Sequence, residues 1–95
     1  MERIPGNIRR RDAFLGPPEL ARFFRGDRLE IMPAKMPQRT AVLTYVVREF
    51  EPARAYSEAE VNVVLARVHN DFATLRRYLI DARLLHRERG TYWRA

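Results

Sequence analysis

The chain has 95 residues, enough for one domain around a single hydrophobic core and too few for two. Hydrophobic residues make up 46% and charged residues 32%, as in a soluble globular protein, and no apolar run is long enough for a transmembrane helix or a signal peptide. The lack of cysteine excludes disulfides, thiolate catalysis and cysteine metal sites. We therefore expect a cytoplasmic protein with no membrane partner.

Positive charge is the main compositional feature. The chain has 18 basic and 12 acidic residues, a net charge of +6, and Lys35 is its only lysine. Arginine suits bidentate contacts with phosphate or guanine, so the charge points to a polyanionic partner such as duplex DNA. The charge is spread out, with 11 basic and 7 acidic residues in residues 1–55 and 7 and 5 in residues 56–95. That spread favours a generally basic surface over a dedicated groove.

Residues 1–16 have no sustained hydrophobic period and are interrupted by proline and glycine, so we interpret them as a flexible basic arm. We expect the arm to dock through Phe14 and Leu15 on the domain that follows, residues 17–95. The densest positive charge of the chain is the arm's run of Arg9, Arg10 and Arg11. Such a run could lie along nucleic acid, although it is more often a solvated terminus.

A short helix, a strand and a longer helix are predicted next. The short helix starts with prolines and covers residues 17–24. In "RLEIM", apolar and charged residues alternate, which points Leu29 and Ile31 inward and predicts a half-buried strand. The longer helix spans about residues 37–50, and Tyr45, which lies off its apolar stripe, is expected to face a partner or the N-terminal segment. The stripe consists of Val42, Leu43, Val46, Val47 and Phe50.

The strongest local signal is a capping box in "AYSEAEV". Ser57 caps a helix and Glu60 lies three residues on, while Tyr56 before the cap can pack on Val61 as a hydrophobic staple. A further helix follows after only two or three residues, with Asn70 or Asp71 as its cap. The inward residues of that last helix are predicted to be Phe72, Leu75, Leu79 and Ala82.

The chain is predicted to end in a β-hairpin. Gly90 supplies the positive φ of a tight turn, which leaves room for strands of about four residues each between Leu84 and Arg94. Tyr92 and Trp93 point to opposite faces, and Trp93 is expected to be buried with the inward leucines of the preceding helix.

A helix, two closely joined helices and a hairpin follow the order of a winged helix-turn-helix, and "RAY" before Ser57 would be the first strand of the wing sheet. We therefore predict an α+β, mainly helical fold that is winged helix-turn-helix-like, with a short C-terminal β-hairpin. The strand at residues 29–32 would be an extra N-terminal strand.

The stretches "FFRGDRLEIMPAK", "FEPARAYSEAEVN", "DFATLRRYLIDARLL" and "YWR" resemble an uncharacterised bacterial family. It is a domain of unknown function found alone or appended to the C-terminus of ArsR-like helix-turn-helix transcriptional regulators. The resemblance covers about residues 20–94. This sequence departs at Met36-Pro37, where more basic residues are expected, and at Arg83, where glycine is expected but arginine should be tolerated. The resemblance implies a small helical fold in regulatory company, and no reaction.

The last helix and the hairpin carry the candidate nucleic-acid surface. Thr74, Arg77 and Asp81 project away from the predicted core. A DNA reader would place Thr74 and Arg77 on base edges or phosphates and the hairpin arginines on the backbone. The alternative is that Arg77 and Asp81, four residues apart, pair on a solvated face. The candidate residues are Thr74, Arg76, Arg77, Arg87 and Arg89, together with Arg9, Arg10 and Arg11 of the arm.

Catalysis, a cofactor and a metal are not expected. The sequence offers no set of nucleophile, base and orienting group and no glycine-rich phosphate loop. His69 and Asp71 in "HND" are too few for a zinc site and are better explained as groups that satisfy helix ends.

Two functions remain open. One is a nucleic-acid-binding module of a transcription-regulator type, and the other is a protein-interaction or self-association domain whose partner is another protein or a second copy. The feature that separates them is whether the arginines converge on one face that acidic residues do not interrupt.

Overall fold

The computed structural model describes residues 13–95, so the predicted arm residues Arg9, Arg10 and Arg11 lie outside the described residues. Within that range the chain has two 3₁₀ helices, Pro18–Phe23 and Val47–Glu49, and the α-helices α1 (Met36–Val46), α2 (Glu58–Ala66) and α3 (Phe72–Asp81). One antiparallel sheet consists of β1 (Phe24–Arg25) and β2 (Arg28–Leu29). A second, in the order β3–β5–β4, consists of β3 (Tyr56–Ser57), β4 (Leu85–Glu88) and β5 (Thr91–Arg94). The predicted α+β class is confirmed.

The N-terminal elements differ from the prediction in type and extent. Residues 18–23 form a 3₁₀ helix, and the predicted strand ends at Leu29, in a hairpin separate from the three-stranded sheet. The backbone N–H groups of Glu30 and Ile31 both donate to the Phe23 carbonyl, at 2.9 and 3.1 Å, which turns the chain out of the strand. Ile31 is consequently 57% exposed, and the prediction that it points inward is wrong.

An aromatic cluster anchors the first described residues. Phe14 stacks on Phe24 with ring centroids 4.5 Å apart, and the Tyr45 ring of α1 lies 5.3 Å from Phe14. A Cβ atom at Gly16 would overlap the Phe14 and Tyr45 rings, so glycine permits this close approach. The contacts predicted for Phe14 and Tyr45 are confirmed, whereas Leu15 is 80% exposed and does not dock.

The helix that was predicted over residues 37–50 is α1 together with the 3₁₀ helix that follows it. Its stripe packs against the other helices and the inner face of the three-stranded sheet, where the core lies. All five predicted stripe residues are buried: Val42, Leu43, Val46, Val47 and Phe50.

The predicted capping box opens α2. The Glu60 backbone N–H donates to Ser57 Oγ at 3.1 Å, and the Ser57 N–H donates to Glu60 Oε1 at 2.8 Å. The hydrogen bond from the Ser57 backbone holds the pKa of Glu60 below its ordinary value. Tyr56 and Val61 are both buried, as a hydrophobic staple requires.

The connection between α2 and α3 runs over residues 67–71, and the predicted two or three residues are too few. The sequence pattern extends α2 to Val68, but the helix ends at Ala66, and Val68 is buried from the connection. Asp71, one of the two predicted caps, accepts a hydrogen bond from the Thr74 N–H at 3.2 Å.

Strand β2 clamps this connection. The Leu29 N–H donates to the Val68 carbonyl at 2.6 Å, and His69 Nδ1 lies 2.6 Å from the Leu29 carbonyl oxygen. The Arg28 guanidinium satisfies carbonyls that the end of α2 leaves without helical partners. It donates to the carbonyls of Ala66 and Arg67, at 3.1 Å each, and to the side chain of Asn70.

Helix α3 buries Leu75 and Leu79 as predicted, but Ala82 is exposed. The helix ends one residue earlier in a Schellman motif, in which the Leu84 N–H donates to the Leu79 carbonyl at 3.0 Å. Arg83 adopts a φ of 61° to form this motif. Ala82 therefore lies in the turn and not on the buried stripe.

The C-terminal hairpin has the predicted dimensions. Each strand has four residues, and the connecting turn is Arg89-Gly90. Both turn residues have positive φ, 52° and 79°, as a two-residue type I′ turn requires. The predicted turn at Gly90 is confirmed.

The faces of β5 are the reverse of the prediction. Tyr92 is buried, in register with the buried Tyr56 of β3, whereas Trp93 points to the opposite face and is only half-buried. The Trp93 ring lies 5.6 Å from the ring of His86, its cross-strand neighbour. The expectation that Trp93 packs in the core is therefore wrong, and Tyr92 takes that place.

Candidate nucleic-acid interface

The exposed face of α3 and strand β4 form a shallow groove of about 470 Å³. Its lining brings together four of the predicted site residues, three from α3 and Arg87 from β4. The groove is lined by Ala73, Thr74, Arg76, Arg77, Ile80, Asp81 and Arg87. Arg89 occupies the exposed turn of the hairpin and does not line the groove.

Arg77 lies at the centre of the exposed face of α3. Its guanidinium is 5.6 Å from the centre of the Tyr78 ring, and its side chain is exposed. The predicted pairing with Asp81 does not form, since residues 13–95 contain no ion pair within 4 Å between these two side chains. Arg77 therefore remains available to a ligand, while Asp81 places one negative charge in the same groove.

Arg76 is half-buried and has a structural contact. Its guanidinium donates to the side-chain oxygen of Asn62 on α2, so it ties the two helices together at the edge of the groove. Neither residue type nor spacing marks Asn62 as a partner in the sequence, because the contact depends on how α2 packs against α3.

Arg87 lies opposite Tyr92 of β5 and has an exposed side chain. The buried Tyr92 hydroxyl donates to Glu58 Oε1 at 2.8 Å. The Tyr92 side chain, more than the nearby Glu58 carboxylate, raises the pKa of Arg87 above its ordinary value. Arg87 therefore lies at the flank of the groove that faces the start of α2.

Arg39, on α1, lies at another flank of α3. Its guanidinium is 4.4 Å from the centre of the Tyr78 ring, in cation–π geometry. It also donates to the carbonyls of Pro33 (3.2 Å) and Ala34 (3.1 Å). Arg39 is not among the residues predicted from the sequence, because nothing in the α1 pattern indicates a contact with α3.

The net positive charge of the described residues comes from the C-terminal third of the chain. Residues 13–66 carry seven basic and seven acidic residues, whereas residues 67–95 carry seven basic and three acidic residues. A division at residue 55 conceals this difference because Glu58 and Glu60 belong to the first turn of α2. The excess charge therefore resides in the part of the chain that contains α3 and the hairpin.

A second groove, of about 430 Å³, lies beside α2. Val63 is 55% exposed there, which is high for a large aliphatic residue on a helix. The groove is lined by Glu49, Glu51, Arg54, Tyr56, Ala59, Glu60, Val63, Val64 and Arg67.

In residues 13–95 no three His, Asp or Glu side chains are close enough together to hold a metal ion, and no charged side chain is buried. The ring of His69 contacts the carbonyl of Leu29 in β2, so its partner is a strand carbonyl and not the helix end that was predicted. No helix within this range is long and apolar enough to cross a membrane.

These features define a small α+β domain in which α3 and a three-stranded sheet present an arginine-lined groove. The chain belongs to the family described as an uncharacterized protein conserved in bacteria (DUF2087), which it matches over residues 28–94. The match begins at Arg28, the residue that clamps the α2–α3 connection, and ends with β5. No curated protein matches the chain, and no solved structure matches it either.

Proposed function

We propose that this domain is a winged helix-turn-helix module that binds duplex DNA. The element order α1–β3–α2–α3–β4–β5 and the sheet order β3–β5–β4 support this assignment, because a helix pair followed by a hairpin is the arrangement of such modules. In this interpretation α3 is the recognition helix and the Arg89-Gly90 hairpin is a short wing.

The observation that carries the proposal is the concentration of positive charge on α3 and the hairpin. All of the net positive charge of the described residues comes from residues 67–95, and Thr74, Arg77 and Arg87 line one groove there. Phosphate neutralisation dominates the affinity of proteins for DNA, so a surface of this kind favours a polyanion.

Contacts with the DNA backbone should outweigh base contacts. On the exposed face of α3, Thr74 and Arg77 are the side chains suited to reading base edges, while Asp81 opposes phosphate. Arg87 and Arg89 would contact the backbone, and we propose that Arg9, Arg10 and Arg11 add contacts from the arm. A module of this composition would bind many sequences with modest preference among them.

We further propose that the domain works in transcription regulation in the bacterial cytoplasm. The resemblance to domains appended to ArsR-like helix-turn-helix regulators supports this setting. A second DNA-binding surface beside a regulator would raise the affinity of the pair through effective concentration, without new contacts between the two modules.

Binding to a fluorescently labelled random duplex, followed by anisotropy across a salt series, tests the proposal. The double variant Arg77→Ala/Arg87→Ala should weaken binding to all sequences and reduce the slope of log affinity against log salt by up to about two. The charge-matched control Arg22→Ala/Arg48→Ala removes two arginines from residues 13–66, where basic and acidic residues balance, and should leave the slope near that of the wild type. Affinity weaker than about 10⁻⁴ M at physiological salt would refute duplex binding.

A protein-interaction or self-association domain is the second candidate. The observation that favours it is the groove beside α2, where Val63 is exposed among charged residues that would form a polar rim. If a second copy occupies this groove, light scattering should show a dimer that dissociates in Val63→Asp. A monomer at all concentrations would exclude self-association.

A further inference from the structure

Two arginines flank the exposed face of α3, and they come from different elements. Arg87 of β4 lies opposite Tyr92, whose hydroxyl bonds to Glu58 of α2, and Arg76 bonds to Asn62, four residues further along α2. Both arginines therefore lie on the α2 side of the groove, whereas Arg39 of α1 stacks on Tyr78. Since successive helical residues are turned by about 100°, Arg76 and Tyr78 lie on opposite sides of the central Arg77. The two flanking guanidinium groups are therefore on opposite sides of the face that Arg77 occupies.

The two flanking guanidinium groups differ in how firmly they are positioned. Arg39 is held by the Tyr78 ring and by two backbone carbonyls, whereas Arg87 is exposed and lies opposite Tyr92, whose hydroxyl bonds to Glu58. A cation that is already positioned, such as Arg39, loses less side-chain entropy when it binds a phosphate. Cations on two sides of one helix match the phosphate backbones that border the two sides of a major groove.

We infer that Arg39 and Arg87 form a two-sided phosphate clamp, in which each contacts one strand of a duplex whose major groove receives α3. The inference rests on the proposed function and deepens it. An α-helix with its side chains is about 10–12 Å wide and the major groove is about 12 Å wide, so a helix in the groove has a phosphate backbone on each side. The segment after Pro33 then contributes to phosphate binding through Arg39, although the expected basic residues at Met36-Pro37 are missing.

The clamp makes Arg39 as important for duplex binding as the residues of the groove itself. Replacement with Arg39→Gln removes one phosphate contact and should reduce the slope of log affinity against log salt by about 0.9, as should Arg87→Gln. The double variant should lose about twice as much, because the two residues contact different strands. Arg39→Lys keeps the charge and should keep the slope, which separates a phosphate contact from a purely structural role.

Arg48 provides a matched control, because it follows α1 on the same segment and its guanidinium also lies over a tyrosine, 5.4 Å from the Tyr45 ring. Arg48→Gln should leave the slope unchanged. The experiment uses the 95-residue chain, a labelled random duplex and anisotropy across a salt series, with circular dichroism to verify folding.

An unchanged slope in Arg39→Gln beside a reduced slope in Arg87→Gln overturns the clamp and leaves the proposed function intact. Equal losses in Arg39→Gln and Arg48→Gln, or a lost slope in Arg39→Lys, also overturn it. If neither Arg77→Ala nor Arg87→Gln changes the slope, the proposed function fails and the clamp with it.

Discussion

Arg83 has a φ of 61° where the backbone leaves α3. A residue with a Cβ atom is strained in this left-handed conformation, whereas glycine adopts it without strain. The resemblance to related bacterial domains leads us to expect glycine here, and the Schellman motif supplies the physical reason. Arginine is accommodated at this position, but it costs stability.

We expect Arg83→Gly to raise the free energy of unfolding by about 1 kcal/mol, because it relieves the left-handed strain. Urea denaturation of the two proteins measures the difference. Arg67→Gly is the matched control, since Arg67 ends α2 with a φ of −72° in the right-handed region. There glycine should lower stability by roughly 0.5–1 kcal/mol. A loss of stability in Arg83→Gly would show that the side chain makes a contact worth more than the strain.

The burial of single residues could be predicted from the helical pattern of α3 for its two central leucines. The same kind of prediction was wrong in the short strands. The helical period places Leu75 and Leu79 in the core. Ile31 is misplaced because a two-residue strand ends before its alternation can apply, and Trp93 because the buried face of β5 is set by pairing with β3. Such pairing connects residues distant in sequence, so alternation alone cannot say which of Tyr92 and Trp93 faces inward.

Among the secondary-structure elements, the positions predicted best are those marked by a motif of neighbouring residues. The capping box predicts the first residue of α2, and the glycine at position 90 predicts the turn of the hairpin. The connection between α2 and α3 is less predictable, because it is shaped by hydrogen bonds from Leu29 of β2, almost forty residues earlier. Helix ends and loop lengths therefore depend on tertiary contacts that a local pattern does not contain.

Loss of the capping box should destabilise the domain measurably. Ser57→Ala removes the acceptor for the Glu60 N–H and should lower the free energy of unfolding by about 1 kcal/mol. Ser57→Asp retains an acceptor at the cap and should be close to the wild type. Thermal melts of both variants provide the measurement, with Glu60→Ala as a test of the reciprocal bond. If Ser57→Ala and Glu60→Ala melt like the wild type, the box does not stabilise α2.

For the molecule as a whole, the proposed contact with DNA depends more on where the charges lie than on the net charge. The sequence supplies the net charge of +6, but it does not show which arginines share a surface. Folding brings Arg77 and Arg87 to one groove and Arg39 to its far flank, and each of these relations depends on packing between elements. The candidate residues of α3 could be named from the helical period, whereas Arg39 and Asn62 could not.

The core that supports this surface centres on α3. Leu79 is completely buried, and Leu79→Ala should lower the free energy of unfolding by roughly 2–5 kcal/mol as a core truncation. Chemical denaturation at several protein concentrations is the appropriate measurement. If the loss of unfolding free energy depends on protein concentration, Leu79 lies at a subunit boundary and self-association is favoured. A negligible loss would contradict the packing of α3.

If the proposed function is correct, the α3 face and the hairpin contact duplex DNA. An amide NMR titration of the ¹⁵N-labelled chain with a short random duplex at low salt detects such contact residue by residue. We expect the shifts to concentrate at Thr74, Arg77 and Arg87 and in the Arg89-Gly90 turn, while Ala59 and Val63 of the α2 groove change little. Shifts concentrated at Ala59 and Val63, or none at a duplex excess, would contradict the proposed function.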